Sequence, residues 1–127
     1  MTDNAKKNVA EAFIAALRAG NKSALQAIMI DDIAWSLPGS STMSGEACGV
    51  DAILKRSEIL RRYGVRIEIE HVVYVFRDVA LHLHNTGKRD GRILDEHLTT
   101  VCHLDGNKIR RLDTFISDVE MLNAFFV

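Results

Sequence analysis

The sequence predicts an α+β fold in which helices precede a meander of antiparallel strands. In the first half of the 127 residues, apolar side chains recur mainly at helical spacing, and from residue 65 onward they alternate with period two. Two Asp-Gly pairs, at 90–91 and 105–106, separate the later alternating runs as hairpin turns do. Helices followed by a run of strands are typical of the α+β class. No linker or repeat divides the chain, so we expect one domain over residues 1–127.

Three helices and one strand are predicted before residue 65. Apolar residues at helical spacing indicate a helix over 7–19 that Gly20 ends, and a second helix is expected over 22–29. Alternation over 32–37, stopped by Pro38-Gly39, predicts a short strand. The stretch 39–49 is rich in Ser and Gly and predicts a loop. A third helix is expected over 51–63, because Gly64 suits its carboxyl end.

The second half of the chain predicts strands and a closing helix. The strands are expected, in order, over 65–76, 79–86, 93–104 and 108–116. Arg77-Asp78 marks the break between the first two of them. Ser117 and Glu120 have the spacing of a capping box, which predicts that a short final helix begins there.

Composition and charge exclude several classes of function. Sixteen basic and seventeen acidic residues give a net charge of −1, which is too balanced for a nucleic-acid or anionic-membrane footprint. No apolar run approaches the roughly 20 residues of a membrane helix. Cys48 and Cys102 form no CxxC pair, and with no secretory signal they favour a reducing compartment. We therefore expect a cytoplasmic protein with no nucleic-acid or membrane partner.

The densest group of proton-handling side chains flanks the turn at Asp90-Gly91. Side chains alternate between the faces of a strand, and directly opposed residues of a hairpin share a face. With a two-residue turn, His84 lies opposite His97. The residues that this arithmetic brings to one face, here called the histidine face, are His82, His84, Asp95, His97 and Thr99. Treating Asp105-Gly106 as a second two-residue turn adds Leu112, Thr114 and Ile116 to that face.

The opposite side of the hairpin, here called the leucine face, leaves two alternatives open. It carries leucines at positions 81, 83, 94 and 98. Patterning alone makes the leucine face the core and exposes the histidine face to water. If a partner subunit covered the leucines, the histidine face would line a pocket instead.

A series of short motifs spans nearly the whole chain. In order they are Leu17-Arg18-Ala19-Gly20-Asn21, Asp32-Ile33-Ala34-Trp35-Ser36-Leu37-Pro38-Gly39, Gly49-Val50-Asp51-Ala52-Ile53, Arg89-Asp90-Gly91-Arg92-Ile93-Leu94-Asp95 and Gly106-Asn107-Lys108-Ile109. This order resembles a SnoaL-like member of the nuclear transport factor 2-like superfamily, which includes ketosteroid isomerases, limonene epoxide hydrolase and scytalone dehydratase. The resemblance implies a cone-shaped barrel, in which a curved, mostly antiparallel sheet wraps around the helices and encloses a pocket. It also implies homodimers that pack sheet against sheet, and so favours a pocket lined by the histidine face.

The same resemblance excludes one known activity. The general base of ketosteroid isomerases precedes the proline of the first strand, where this chain has Leu37. Their oxyanion-hole tyrosine falls at Phe13, and their second donor falls near Thr99. A leucine cannot abstract a proton and a phenylalanine cannot donate a hydrogen bond, so steroid isomerisation by that mechanism is excluded. The Arg and two Asp residues of limonene epoxide hydrolase are not visible either.

The function expected from the sequence is acid–base chemistry without a cofactor on a small apolar molecule. Asp95 beside His84 or His97 would make a base useful near neutral pH, with another histidine such as His82 as the acid. The expected ligand-binding residues are Phe13, Trp35, Leu37, Thr99, Leu112, Thr114 and Ile116. A non-catalytic ligand-binding or dimeric interaction domain stays open as an alternative. The histidines and Asp95 are also zinc ligands by type, although no sequence motif joins them.

Overall fold

A computed structural model describes all 127 residues as four helices and one six-stranded sheet. The helices are α1 (Asp3–Ala19), α2 (Lys22–Ile28), α3 (Val50–Arg62) and α4 (Val119–Phe125). The strands are β1 (Met29–Leu37), β2 (Gly45–Cys48), β3 (Arg66–Tyr74), β4 (Val79–Arg89), β5 (Arg92–Asp105) and β6 (Lys108–Ile116). The predicted α+β class is confirmed. None of the helices combines the length and apolar character that crossing a bilayer requires.

The strands follow the order β2-β1-β6-β5-β4-β3, and every neighbouring pair is antiparallel except β1 with β6. Because β2 and β3 remain as free edges, the sheet is open and does not close into the barrel expected from the resemblance. Strand β2 lies inside the stretch 39–49, which was expected to be a loop. Only four residues form it, too few for a period to be visible in the sequence.

Helix α1 begins and ends where local chemistry places its caps. Thr2 Oγ1 accepts a hydrogen bond from the backbone N–H of Ala5 at 3.1 Å. Gly20 ends the helix at φ 62°, in the left-handed region that favours glycine. The apolar side of α1, with Phe13 and Ile14, is fully buried in a hydrophobic cluster of 28 residues. Each such side chain contributes roughly 1.5–3 kcal/mol by leaving water.

The β4–β5 hairpin has the predicted register. Arg89 pairs with Arg92, so Asp90-Gly91 form the two-residue turn. Both turn residues have positive φ (50° and 76°), as a type I′ turn requires. As a result His84 lies directly opposite His97, and the prediction from hairpin arithmetic is confirmed.

The β5–β6 ladder contains an extra residue, Arg110, that changes the predicted faces. Near the turn Leu104 pairs with Ile109, but His103 already pairs with Arg111. A one-residue shift of this kind turns every following side chain to the other side of the sheet. The residues that the bulge places on the leucine face are Leu112, Thr114 and Ile116. The prediction that they share the histidine face is therefore wrong.

The leucine face is the interior side of the sheet. Its four leucines, Leu81, Leu83, Leu94 and Leu98, are buried and belong to the hydrophobic cluster. On this side of the sheet, helix α1 packs against β3 and β4, and helix α4 packs against β5. The protein's own helices thus cover the leucines, where the pocket hypothesis required a partner subunit. The histidine face is the outer side of the sheet.

Candidate functional site

A narrow apolar cavity lies between the helices and the leucine face. Thirteen of the sixteen residues that line it are hydrophobic. They are Phe13, Ile14, Leu17, Trp35, Leu37, Met43, Leu60, Ile67, Leu83, Leu98, Ile116, Leu122 and Phe126, joined by the polar Asn85, Glu96 and Thr100. The volume open to the centre of a water molecule is about 30 Å³, which is room for roughly two waters. A larger ligand therefore requires side chains at the cavity to move.

The predicted ligand-binding residues divide between the cavity, the core and the outer face. Those that line the cavity are Phe13, Trp35, Leu37 and Ile116. Leu112 and Thr114 are buried on the same side of the sheet without lining it. Thr99 lies on the outer face, opposite His82, and does not line the interior cavity. It lines an open groove there with His82 and His97.

The Trp35 ring forms a fixed wall of the cavity. Its Nε1–H donates to Thr114 Oγ1 at 2.8 Å, and this hydroxyl lies 2.8 Å from Thr100 Oγ1. Phe13 meets the indole edge-on, with ring centroids 5.7 Å apart, and the Arg56 guanidinium lies 5.0 Å from the indole centroid. With its N–H bonded and its ring held by two neighbours, Trp35 has little freedom to change rotamer.

The polar end of the cavity consists of Glu96 and Asn85, which are paired across β5 and β4. Glu96 is 3% exposed, and its Oε2 has no hydrogen-bond partner; the same holds for Oδ1 of Asn85. Burial raises the pKa of Glu96 to about 7, with a further upward contribution from the charge of Asp118 and a partial offset from Asn85. A carboxyl group with this pKa gains and loses a proton near neutral pH, as general acid–base catalysis requires.

Neither Glu96 nor Asn85 was predicted as a site residue, although the sequence contains a signal for both. The interior side of β5 carries Leu94, Glu96, Leu98, Thr100 and Cys102. The interior side of a half-buried strand is normally apolar, so a single carboxylate among these residues is a strong exception. Asn85 follows two leucines on β4 in the same way. Attention to polar residues on the leucine face would have found the pair.

The predicted catalytic residues come together on the outer face, away from the cavity. His84 Nε2 lies 2.6 Å from Asp95 Oδ1, so the predicted pairing of an imidazole with Asp95 is present. The rings of His84 and His97 stack with centroids 4.3 Å apart, and Glu70 Oε1 lies 3.0 Å from His97 Nδ1. His82 is exposed and forms no hydrogen bond with this group. None of these residues lines the interior cavity, because that cavity lies on the other side of the sheet, under the helices. His82 and His97 line an open groove on the outer face instead.

The electrostatics of the outer group are those of a solvated ion pair. The hydrogen bond that the Asp95 carboxylate accepts from His84 raises the pKa of His84 and lowers the pKa of Asp95. Asp95 is 62% exposed, so water screens the pair. Acid–base chemistry on an apolar molecule is served better by a carboxyl group that lines a buried, mostly apolar cavity. Catalysis by these histidines stays a prediction.

No protein-family model matches the chain, and no curated protein sequence matches it either. Bal32a from a soil-derived mobile gene cassette is similar in structure, with a TM-score of 0.88, 20% identity and 98% of each chain covered. An NTF2-like protein from Burkholderia xenovorans LB400 has a TM-score of 0.85 and 20% identity over 100% of this chain and 99% of that one.

A further structural match is a protein from Jannaschia sp. CCS1 described as a SnoaL-like polyketide cyclase. Its TM-score is 0.75 at 12% identity, over 100% of this chain and 97% of that one. The chain therefore has the nuclear transport factor 2-like fold, as the order of its sequence motifs predicted. This fold hosts unrelated functions, so the ligand and the chemistry must be argued from the chain's own residues.

Proposed function

We propose that the protein binds a small, largely apolar organic molecule in its interior cavity and that Glu96 exchanges a proton with it. The observation that carries this proposal is a single buried carboxyl group, with a free oxygen atom, in an otherwise apolar cavity. Ionised Glu96 would accept a proton from a carbon next to a carbonyl group and return it elsewhere on the ligand. The Asn85 side chain beside it offers a polar contact for the ligand's oxygen.

The reaction class is cofactor-independent isomerisation, cyclisation, dehydration or hydrolysis, each of which needs such a proton transfer. Glu96 takes the acid–base role that the sequence suggested for the group formed by Asp95 and the histidines. A non-catalytic ligand-binding domain is the alternative, because the same cavity would bind an apolar molecule without turnover. We also retain the expectation of a cytoplasmic protein.

Proton exchange with small cyclic ketones in D₂O tests the role of Glu96. We expect the wild-type protein to accelerate the loss of the ketone's α-proton signals in ¹H NMR spectra, since a base near pKa 7 in an apolar cavity suits this step. Glu96→Gln removes the base and should lower the accelerated rate by about 10²-fold or more.

Two controls separate the cavity from the outer face in this experiment. Glu68→Gln changes an exposed carboxylate that is paired with Arg66, and should leave the exchange rate unchanged. His84→Ala changes the outer group and should also leave it unchanged. Loss of exchange in His84→Ala with normal exchange in Glu96→Gln would contradict the role of Glu96. A ketone-induced rise in melting temperature without any exchange would support the non-catalytic alternative.

We further propose that two copies associate through the outer face of the sheet. Phe115 lies on this face opposite Thr99 and is 61% exposed, so its ring is available for contact with a second copy. Phe115→Glu should convert a dimer into a monomer in light-scattering measurements. Phe76→Glu, at an exposed loop outside the strands, is the matched control and should leave the dimer intact. A monomeric wild-type protein at micromolar concentration would contradict this proposal.

A further inference from the structure

The outer face of the sheet carries a group of metal-ligating side chains that the proposed cavity chemistry does not use. Glu70, His84 and His97 come from three neighbouring strands, and their ligand atoms all lie within 4.8 Å of one another. We propose that these three residues form a binding site for a divalent ion of the zinc class, with Asp95 as the partner that orients the ring of His84.

Two features of the backbone bring the three side chains together. The β4–β5 register places His84 directly opposite His97, so that their rings stack with an interplanar angle of 7°. In β3, Ile69 pairs with Leu83 and His71 with His82, which leaves Glu70 as the extra residue of a bulge. Bulges redirect a side chain, and here the Glu70 carboxylate reaches across β4 to His97.

The charges around the group favour a cation. The carboxylates of Glu70 and Asp95 each bond to one imidazole, and Glu68 lies on the same side, opposite His84. The cation of Arg66 is already paired with Glu68 at 3.1 Å. The two stacked imidazole rings have centroids 4.3 Å apart, so one divalent ion can accept an electron pair from each. The acidic surroundings therefore favour a bound cation.

The donor set also selects the kind of ion. Two imidazoles and one carboxylate suit zinc and its neighbours Co²⁺ and Ni²⁺, whereas Mg²⁺ and Ca²⁺ take oxygen ligands. Tetrahedral zinc needs ligand atoms about 3.3 Å apart, given bonds of about 2.0 Å. The exposed side chains of Glu70 and His97 (40% and 63%) have the freedom to close that distance by rotation. Three protein ligands leave a fourth position for water.

Equilibrium titration with Zn²⁺ against a chromophoric chelator tests the site, with Co²⁺ absorption spectra as the readout of tetrahedral coordination. The wild-type protein should bind one equivalent, and Mg²⁺ and Ca²⁺ should not compete. His97→Ala and Glu70→Gln should each weaken Zn²⁺ binding by at least about tenfold, and Asp95→Asn by about 10-fold to 100-fold because it orients a ligand. In the single chain these side chains lie on the surface and not in the core, so circular dichroism should report an unchanged fold.

Matched variants make the outcome specific. His82→Ala removes an exposed histidine of the same face and should leave the affinity unchanged. His103→Ala should also leave the Zn²⁺ affinity unchanged, because the ring nitrogens of His103 already bond to Asp78 and Asp113, at 2.9 Å each. Repeating the titration in Phe115→Glu and Glu96→Gln separates the site from dimer formation and from cavity chemistry. Equal losses in His97→Ala and His82→Ala, or no saturable Zn²⁺ binding by the wild-type protein, would overturn the proposal.

Discussion

Replacing Glu96 by glutamine is expected to raise the free energy of unfolding at pH 8 by up to about 3 kcal/mol. The pKa of Glu96 rises from 4.5 to about 7 in the folded protein. Each pKa unit corresponds to about 1.4 kcal/mol, so the whole rise in pKa means that an ionised Glu96 opposes folding by about 3 kcal/mol. Glutamine has nearly the same shape and carries no charge at any pH, and it avoids this cost.

The direction of the pH dependence follows from the raised pKa. Below about pH 4.5 the carboxyl is protonated in both the folded and the unfolded chain, and the substitution should change stability little. Between about pH 4.5 and 7 the unfolded chain loses this proton first, so the wild-type protein loses stability as pH rises. Above pH 7 the full difference is present. The stabilising effect of Glu96→Gln should therefore grow from pH 5 to pH 7 and then level off.

Urea unfolding of wild-type protein and Glu96→Gln at several pH values measures this difference. Other groups also titrate in this range, but they are common to both proteins and cancel in the comparison. Glu68→Gln, with its carboxylate at the surface, should show no growing difference from wild type. Parallel stability curves for the wild-type protein and Glu96→Gln would mean that Glu96 is not a buried carboxyl with a raised pKa. An ionisable group that lowers the stability of the fold at neutral pH is not there for packing, so a role in function explains its presence.

Much of the fold could be predicted because its signals are local. The turn at Asp90-Gly91 sets the β4–β5 register through two residues with positive φ, and alternation then assigns each side chain to a face. The bulge at Arg110 has no comparable local signature, since it depends on how β6 fits between β5 and β1. This single residue moved Leu112, Thr114 and Ile116 to the interior side.

The site was harder to predict than the fold because alternation tells which residues share a face and not which face is covered. Patterning favoured the leucines as the core, and the structure agrees with it. The family resemblance led to a pocket lined by histidines, since it supplied a partner subunit to cover the leucines. Glu96, whose pKa is raised to about 7, lies at a position where the alternating pattern predicts an apolar side chain. Local violations of pattern of this kind are expected at functional sites.

Replacing Arg56 by methionine is expected to lower the free energy of unfolding by about 3 kcal/mol. Arg56 lies on α3 and is 6% exposed. Its guanidinium donates to the carbonyl oxygens of Trp35 and Gly45, at 2.7 Å in both cases. Hydrogen bonds from a charged group contribute about 1.5–3 kcal/mol each, and methionine would leave both acceptors without this donor. The burial that lowers the pKa of Arg56 to about 10 reduces the net effect below the sum of the two bonds.

Urea unfolding at pH 7 measures this loss, and the structure supplies matched variants. Lys55→Met removes an exposed cation from the same helix and should change stability by less than about 0.5 kcal/mol. Arg56→Lys keeps the charge but loses the planar fork, so it should recover only part of the stability. Because Arg56 joins α3 to β1 and β2 behind the Trp35 ring, its removal should also loosen the cavity wall. Trp35 fluorescence of folded Arg56→Met should then shift to longer wavelength, and an unshifted spectrum with wild-type stability would show that the two hydrogen bonds do not hold this wall.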